Sequence, residues 1–205
     1  QDRPTGIRNA LLECEHALGG EPFVLAWGDH LCSSTAPDGQ GCVAQLMAGF
    51  DGSRSVVGMH CIDHKYVHTA GIVACKQPPT PLPPPLGARE KAFGDSAKCW
   101  NITRVCEKPS VHQAEEHLKT PGLPEGQFLG SFGQYVLTPG LFSVLRGNEK
   151  IHFTDALDAL RQKEGLDGVL IEGCRWDLGN ASTYVQALQE QVAVDEAASK
   201  RRRRG

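Results

Sequence analysis

Asp29, Glu107, Lys108 and Asp177 are the side chains whose types and placement could do chemistry together. Two carboxylates on separate loops, with an ammonium group near, suit magnesium-dependent phosphate chemistry. Magnesium is a hard, octahedral ion held by one or two carboxylates, with phosphate oxygens and water in the other positions. It neutralises phosphate charge during in-line displacement. A lysine adds a compact point charge for a phosphate. On this reading Asp29 and Asp177 are metal ligands and Lys108 holds the attacking phosphate. The plainer alternative makes all of them loop caps and solvated charges. Spacing alone leaves both open.

Each of these residues follows a run of strand character. Residues 23–27 lead to Gly28 and Asp29, 101–106 lead to Glu107 and Lys108, and 169–172 precede Asp177 by a short turn. Further strands are expected at 55–59, 71–75 and 133–137. Helical spacing covers 6–18, where Ile7, Ala10, Leu11, Cys14 and Leu18 share one face and Gly19-Gly20 stops the helix. Helices are also expected at 43–50, from 141 to 145, at 153–163 with Thr154 as the N-cap, and from about 181 to 198. Residues 32–42 read as loop, and 110–127 as a helix and a loop. Strands alternating with helices predict an α/β domain with a mixed, mostly parallel sheet. Ligands bind such sheets beyond the carboxyl ends of the strands.

Composition narrows the function classes. The 205 residues carry a formal net charge of −3, which argues against a general nucleic-acid binder. The one basic run, 200–204, reads as a solvated tail. No apolar stretch reaches the ~18 residues of a membrane span, and no charged-then-apolar start marks a secretory signal. A cytoplasmic location follows as the expectation. The eight cysteines form no C-x-x-C pair, so buried free thiols are expected rather than a zinc site or disulfides. His60, Asp63, His64 and His68 have spacing that could bind zinc, but read better as a surface turn. His30 could touch a metal-bound water or be an incidental loop residue. One domain is expected over 1–190, with a proline-rich excursion at 77–98. Residues 191–205 form a helix end and basic tail.

The order of short motifs resembles the bacterial-type UTP–glucose-1-phosphate uridylyltransferases, a family of sugar nucleotidyltransferases. Gly6-Ile7-Arg8-Asn9-Ala10-Leu11 resembles the family's G-L-G-H-A segment, and Glu21-Pro22-Phe23 with Gly28-Asp29 its E-P-F-strand-D segment. Gly71-Ile72-Val73 is similar to its G-I-V strand start. Val105-Cys106-Glu107-Lys108-Pro109 resembles V-E-K-P, the most specific piece. Gly133-Gln134-Tyr135-Val136-Leu137, Thr154-Asp155-Ala156 and Asp177-Leu178-Gly179-Asn180 match G-R-Y-V-L, T-D-A and D-C-G-N in turn. Arg8 stands where the family has glycine, and Ala70 where it has tyrosine. Seven pieces in one order cover roughly residues 6–190.

The resemblance implies a Rossmann-like nucleotidyltransferase domain, incomplete at its amino terminus. It implies a reaction that joins UTP and glucose 1-phosphate into UDP-glucose and pyrophosphate with Mg2+. Asp29 and Asp177 would bind magnesium, Glu107 the sugar hydroxyls and Lys108 the sugar phosphate. Gly71 would let the backbone approach the sugar, Gly6 would lie near the uracil, and Gly28 is a further substrate-binding position. The family's G-x-G-T-R loop, which cradles the triphosphate, would precede Gln1, so little catalysis is expected of this chain alone. The partners implied are the two substrates, with no nucleic acid and no membrane; a homo-oligomer is left open. The competing readings are a non-catalytic nucleotide- or sugar-phosphate-binding paralogue, and transfer of another nucleotidyl group.

Overall fold

A computed structural model of the chain describes residues 5–76 and 99–202, without the side chains of residues 191 and 193–202. The proline-rich stretch 77–98 lies outside the described residues.

The elements run α1 (Ile7–Leu18), β1 (Phe23–Ala26), β2 (His30–Ser34), α2 (Cys42–Ala48), β3 (Val56–Asp63), a 3-10 turn (His64–Thr69), β4 (Gly71–Cys75), β5 (Cys99–Glu107), α3 (Val111–His117), β6 (Gln127–Leu137), α4 (Gly140–Gly147), α5 (Phe153–Glu164), β7 (Asp167–Leu170), β8 (Gly173–Asp177) and α6 (Ala181–Arg202). Apolar runs become strands because both faces are covered. The burial of β4 is nearly complete, with Ile72, Val73, Ala74 and Cys75 all in the interior. The amphipathic stretches become helices that lay Leu11, Leu141, Phe142, Leu145, Leu157 and Leu160 on one cluster with Val57, Val73 and Leu137. Ring stacking of Phe23 on Phe142, 5.5 Å between centroids, ties β1 to α4.

The main sheet has the order β1-β6-β3-β7-β5-β4. Strands β1, β3, β4 and β7 run one way and β5 and β6 the other, so the mixed sheet is as expected. Only β3 and β7 are parallel neighbours, however, and every other pairing is antiparallel. The expected mostly parallel sheet thus holds for strand direction but not for adjacency. Alternating strands and helices cannot reveal that β6 inserts between β1 and β3. The sheet also curls back on itself, because β4 pairs with the first half of β6 through Ile72↔Gly130 and Val73↔Leu129.

Three further differences come from local chemistry. Residues 30–34 and 173–177 form a separate antiparallel ribbon, β2–β8, which takes up part of the loop expected at 32–42 and the short turn expected before Asp177. The helix after Asp177 continues to Arg202, so 200–202 extend a helix rather than a loose tail. All eight cysteines are free, but Cys14 and Cys99 are exposed rather than buried. Among the described residues no helix is long and apolar enough to cross a membrane.

Candidate functional site

Strand β6 organises the site. Strand β3 occupies one edge of it along its length. On the other edge β1 ends with Ala26 opposite Gln134, and β4 begins beyond, with Ile72 opposite Gly130. Residues 131–133 lie between, so the carboxyl end of β1 and the amino end of β4 approach the same short stretch. The register with β3 jumps there, from Val57↔Tyr135 to Met59↔Ser131, which makes a bulge in β6. Bulges of this kind re-aim side chains beside functional sites. Gly133 has φ of 83° within it, and its carbonyl accepts from the Trp27 amide at 3.1 Å.

The two carboxylates meet on one side of this stretch. In the ribbon His30 pairs with Asp177, and the Leu178 amide donates to the Asp29 carbonyl at 2.7 Å. The Gly179 amide donates to Asp177 Oδ1 at 2.9 Å. A Cβ at Gly179 would stand 3.1 Å from Asp177 Oδ1 and 3.7 Å from Asp29 Oδ2, so both carboxylates flank one point. Gln45 holds the ribbon in place, although it lies on a helix and is buried. Its side chain accepts from the Glu172 amide at 2.8 Å and donates to the Glu172 carbonyl at 3.2 Å and to Ser34 Oγ at 3.0 Å. Each of those bonds satisfies a group that burial would otherwise leave costly.

Behind the carboxylates sits a buried polar nest. Cys32 pairs with Arg175, which brings the guanidinium to the same face as Asp177. Arg175 Nη1 donates to the Ser131 carbonyl at 3.4 Å. His30 Nδ1, His60 Nε2, Gln134 Oε1 and Arg175 Nε are buried atoms without a hydrogen-bond partner in the structure. Burial and then Arg175 lower the pKa of His30, against the pull of Asp29 and Asp177. Burial, with Arg175 and His30 next, drives His60 down to about 3. Both imidazoles are therefore neutral near pH 7. His60 points inward, its ring 5.7 Å from that of Phe132, whereas His64 faces Asp63 at the surface at 3.3 Å. The histidine spacing thus makes no joint metal site.

The second group lies across residues 131–133. Gly71 pairs with Glu107, and the Lys108 amide donates to the Ala70 carbonyl at 3.1 Å. Thr154 Oγ1 donates to Glu107 Oε2 at 2.5 Å. Thr154 is thus not the N-cap of α5; His152 takes that position, without a side-chain bond. A Cβ at Gly71 would stand 3.3 Å from Glu107 Oε2 and 3.7 Å from Thr154 Oγ1. Among the described residues Lys108 is the one non-glycine with positive φ, at 43°. It also precedes Pro109, where the extended region is normal. Such a conformation costs on the order of 1 kcal/mol or more and clusters at functional positions. Its ammonium lies 3.9 Å from Glu107 Oε1 and is otherwise open to solvent.

Tyr135 joins the two groups. Its hydroxyl is hydrogen-bonded to Ser131 Oγ at 2.6 Å, and its ring meets Trp27 and Phe153 edge-on at 5.8 and 5.1 Å. Burial raises its pKa; Glu107 adds to the rise and Arg175 opposes it. The phenol therefore feels both groups at once. The structure brings Asp29 and Asp177 together and pairs Glu107, Lys108 and Gly71, with the two sets facing the same stretch of β6. It gives no crowding that demands glycine at Gly28, where a Cβ would meet nothing within 4 Å. Gly6 is the N-cap of α1, with φ of 96°. Arg8 is structural: its Nε donates to the Leu145 and Asn148 carbonyls at 2.8 and 3.1 Å.

Sequence reasoning passed over Arg175, Ser131, Tyr135 and the Thr154–Glu107 bond. Arg175 was within reach, since it lies two residues before Asp177 and alternate residues of a strand share a face.

No family profile matches the chain. A UTP–glucose-1-phosphate uridylyltransferase of Bacillus subtilis is 29% identical over 94% of this chain and 58% of its own length. One from Streptococcus pyogenes is 27% identical over 91% of this chain and 54% of its own length. The chain thus spans somewhat over half the length of these relatives. Among solved structures, a UDP-glucose pyrophosphorylase complexed with UDP-glucose shares the fold with a TM-score of 0.68, at 22% identity over 93% of this chain and 63% of that one. The UTP-bound enzyme of Acinetobacter baumannii gives 0.67 at 20% identity, over 92% and 57%. Over the stretch it covers, this chain is similar to these bacterial UTP–glucose-1-phosphate uridylyltransferases and shares the fold of the solved UDP-glucose pyrophosphorylases.

Proposed function

We propose that this chain carries the sugar-phosphate and metal side of a uridylyltransferase site, which forms UDP-glucose and pyrophosphate from UTP and glucose 1-phosphate. The observation that supports it best is the convergence of Asp29 and Asp177 on one point beside Gly179. Across residues 131–133 from that point stand Glu107 and Lys108. The donor set fits magnesium. Two carboxylates offer hard oxygen ligands, and among the described residues no group of three or more His, Cys, Asp or Glu could hold a metal by itself. Such a pair takes an ion that completes its shell with phosphate oxygens and water. When bound there, Mg2+ would neutralise charge on the phosphates.

The remaining roles belong to side chains. Lys108 holds the phosphate of glucose 1-phosphate, and its left-handed backbone aims the ammonium outward. Glu107 accepts from sugar hydroxyls while Thr154 fixes its carboxylate, and the bare Gly71 leaves room for the ring. A phosphate oxygen of glucose 1-phosphate attacks the α-phosphorus of UTP, the bond to the β-phosphate oxygen breaks, and pyrophosphate leaves. The attacking phosphate is already anionic, so no general base is needed, and positioning supplies much of the acceleration. A cytoplasmic location belongs to the same proposal and is supported by the eight unpaired thiols.

The test is magnesium-dependent release of pyrophosphate by the protein carrying this chain. Asp29→Ala should lower kcat/KM by about two to three orders of magnitude without changing the melting temperature. Lys108→Ala should raise KM for glucose 1-phosphate about tenfold, roughly the 1.4 kcal/mol of one weakened charge contact. Turnover that ignores both changes removes these residues from the proposed site.

A further inference from the structure

Strands β5, β4 and β6 set Glu107, Gly71 and Ser131 in one row. Gly71 pairs with Glu107, and one step on from Ile72↔Gly130 it stands opposite Ser131. Paired residues share a face of a sheet, and a Cβ at Gly71 would lie 3.9 Å from Ser131 Cβ and 3.3 Å from Glu107 Oε2. Two strand spacings, about 10 Å in a flat sheet and less in this curled one, separate the outer members. Bare Gly71 keeps the middle open.

The hydroxyl of Ser131 has a proton to spare. The Tyr135 phenol is buried, with 3% exposure, and Ser131 Oγ at 2.6 Å is its partner. The phenol proton therefore goes to Ser131, since the reverse would leave it buried without an acceptor. The Gly133 amide donates to the same oxygen at 3.3 Å. A hydroxyl accepts twice and donates once, so both lone pairs of Ser131 Oγ are taken and only its proton is left. Among the described residues nothing accepts that proton.

We propose that Ser131 binds the sugar: its hydroxyl donates to a ring hydroxyl of the hexose 1-phosphate, on the side away from Glu107. This role presupposes the sugar-phosphate side proposed above and adds a second wall to it. The Glu107 carboxylate only accepts, and Ser131 has only a donor left. An occupant of the gap must therefore offer a donor to one wall and an acceptor to the other. Ring hydroxyls do both. A phosphate would accept from Ser131 but meet the Glu107 charge, so it belongs beside Lys108 rather than in the gap. The bonds to Tyr135 and Gly133 also hold the serine in place before any ligand arrives, which lowers the ordering cost of binding. A fixed donor of this kind discriminates between sugars that carry a hydroxyl at its position and sugars that lack one.

Monodeoxy analogues of glucose 1-phosphate test this in the protein carrying this chain. With the wild type, loss of the hydroxyl that Ser131 meets should lower kcat/KM about three- to tenfold, as expected of one uncharged hydrogen bond. Ser131→Ala should lose as much with glucose 1-phosphate itself, mainly through KM. It should be indifferent to removal of that one hydroxyl while still sensing the one at Glu107. Ser131→Thr, which returns the hydroxyl, should restore the discrimination. Ser131→Ala leaves the buried phenol without its acceptor. If that variant is unstable, the pair Ser131→Ala, Tyr135→Phe removes both partners and carries the same test. If Ser131→Ala senses every deoxy sugar as the wild type does, the serine serves only Tyr135 and the proposal falls. A wild type that treats glucose 1-phosphate and all its deoxy analogues alike, or turns over none of them, is a different result. It overturns the sugar-phosphate side itself, and the role of Ser131 with it.

Discussion

Asp29 and Asp177 are positioned by main chain, whereas Glu107 is positioned by a side chain. The acidic pair hangs on the β2–β8 ribbon, the Leu178–Asp29 backbone bond and the Gln45 clamp on Glu172. Beneath it lie four buried polar atoms without partners. The sugar-phosphate group sits at the end of a well-paired hairpin, β4–β5, and its carboxylate is oriented by one threonine hydroxyl. Main-chain positioning is rigid but intolerant of volume, because shifting any atom shifts the ribbon. Side-chain positioning is adjustable and costs little to lose. The two surroundings should therefore respond differently to added volume: the scaffold that carries the acidic pair in stability, the sugar-phosphate group in substrate affinity.

The sharpest break comes from two glycines. Gly133→Ala places a methyl 2.1 Å from His30 Nδ1 at a backbone with φ of 83°. The strain and the overlap together should cost about 2–4 kcal/mol and lower the melting temperature by several degrees. Gly71→Ala places its methyl 3.3 Å from a half-exposed carboxylate that can move aside. It should cost less than about 1 kcal/mol while weakening use of glucose 1-phosphate. Denaturant melts of the two variants decide the matter. If Gly133→Ala melts like wild type, the ribbon is not rigid in the way described.

The legibility of the two groups in the sequence follows the same division. The two strands of the hairpin were readable, though not their antiparallel pairing: β4 is an apolar run, and 101–106 has strand character up to Glu107-Lys108-Pro109. The ribbon was not. His30, Ser33, Ser34, Gly173 and Arg175 give neither an apolar run nor a clear alternation, and its two strands come from distant parts of the chain. Local rules also misled at Thr154. A threonine at a helix start reads as a cap, but the hydroxyl serves a carboxylate 47 residues away. Gln45 gave no signal at all, since a glutamine in an amphipathic helix ordinarily faces water. Family motifs compensated for Asp177, which the resemblance marked although its strand was missed.

The polar nest predicts an acid sensitivity specific to the first group. The folded pKa of His60 lies near 3, below the ~6.5 of an exposed imidazole. Between those values the unfolded chain binds a proton that the folded chain refuses. Stability is complete above the unfolded value and is lost progressively as pH falls towards the folded one. Between pH 7 and pH 5 this one residue should account for a loss of about 2 kcal/mol. His60→Leu keeps apolar packing against Phe132 and removes the proton. Urea melts should show the variant at least as stable as wild type at pH 7 and clearly more stable at pH 5. Parallel acid limbs for the two proteins would mean that His60 is solvated and the nest is wet.

The smallest expected effect is the most informative about Glu107. Thr154→Val removes the hydroxyl while keeping the β-branched shape, so α5 should persist. The bond it deletes is a charge-assisted one, short at 2.5 Å, but it lies at a solvent-exposed position. The loss in stability should stay within about 1 kcal/mol. Freed of its donor, the Glu107 carboxylate can turn towards the Lys108 ammonium, already 3.9 Å away. On the proposed roles, a closer pair would neutralise the phosphate holder and withdraw the sugar-hydroxyl acceptor together. KM for glucose 1-phosphate should then rise about three- to tenfold, equivalent to ~1 kcal/mol, with KM for UTP unchanged. Thr154→Ser should restore it, because the hydroxyl returns. A purely structural role would instead move both KM values with the melting temperature, and serine would rescue them no better than valine.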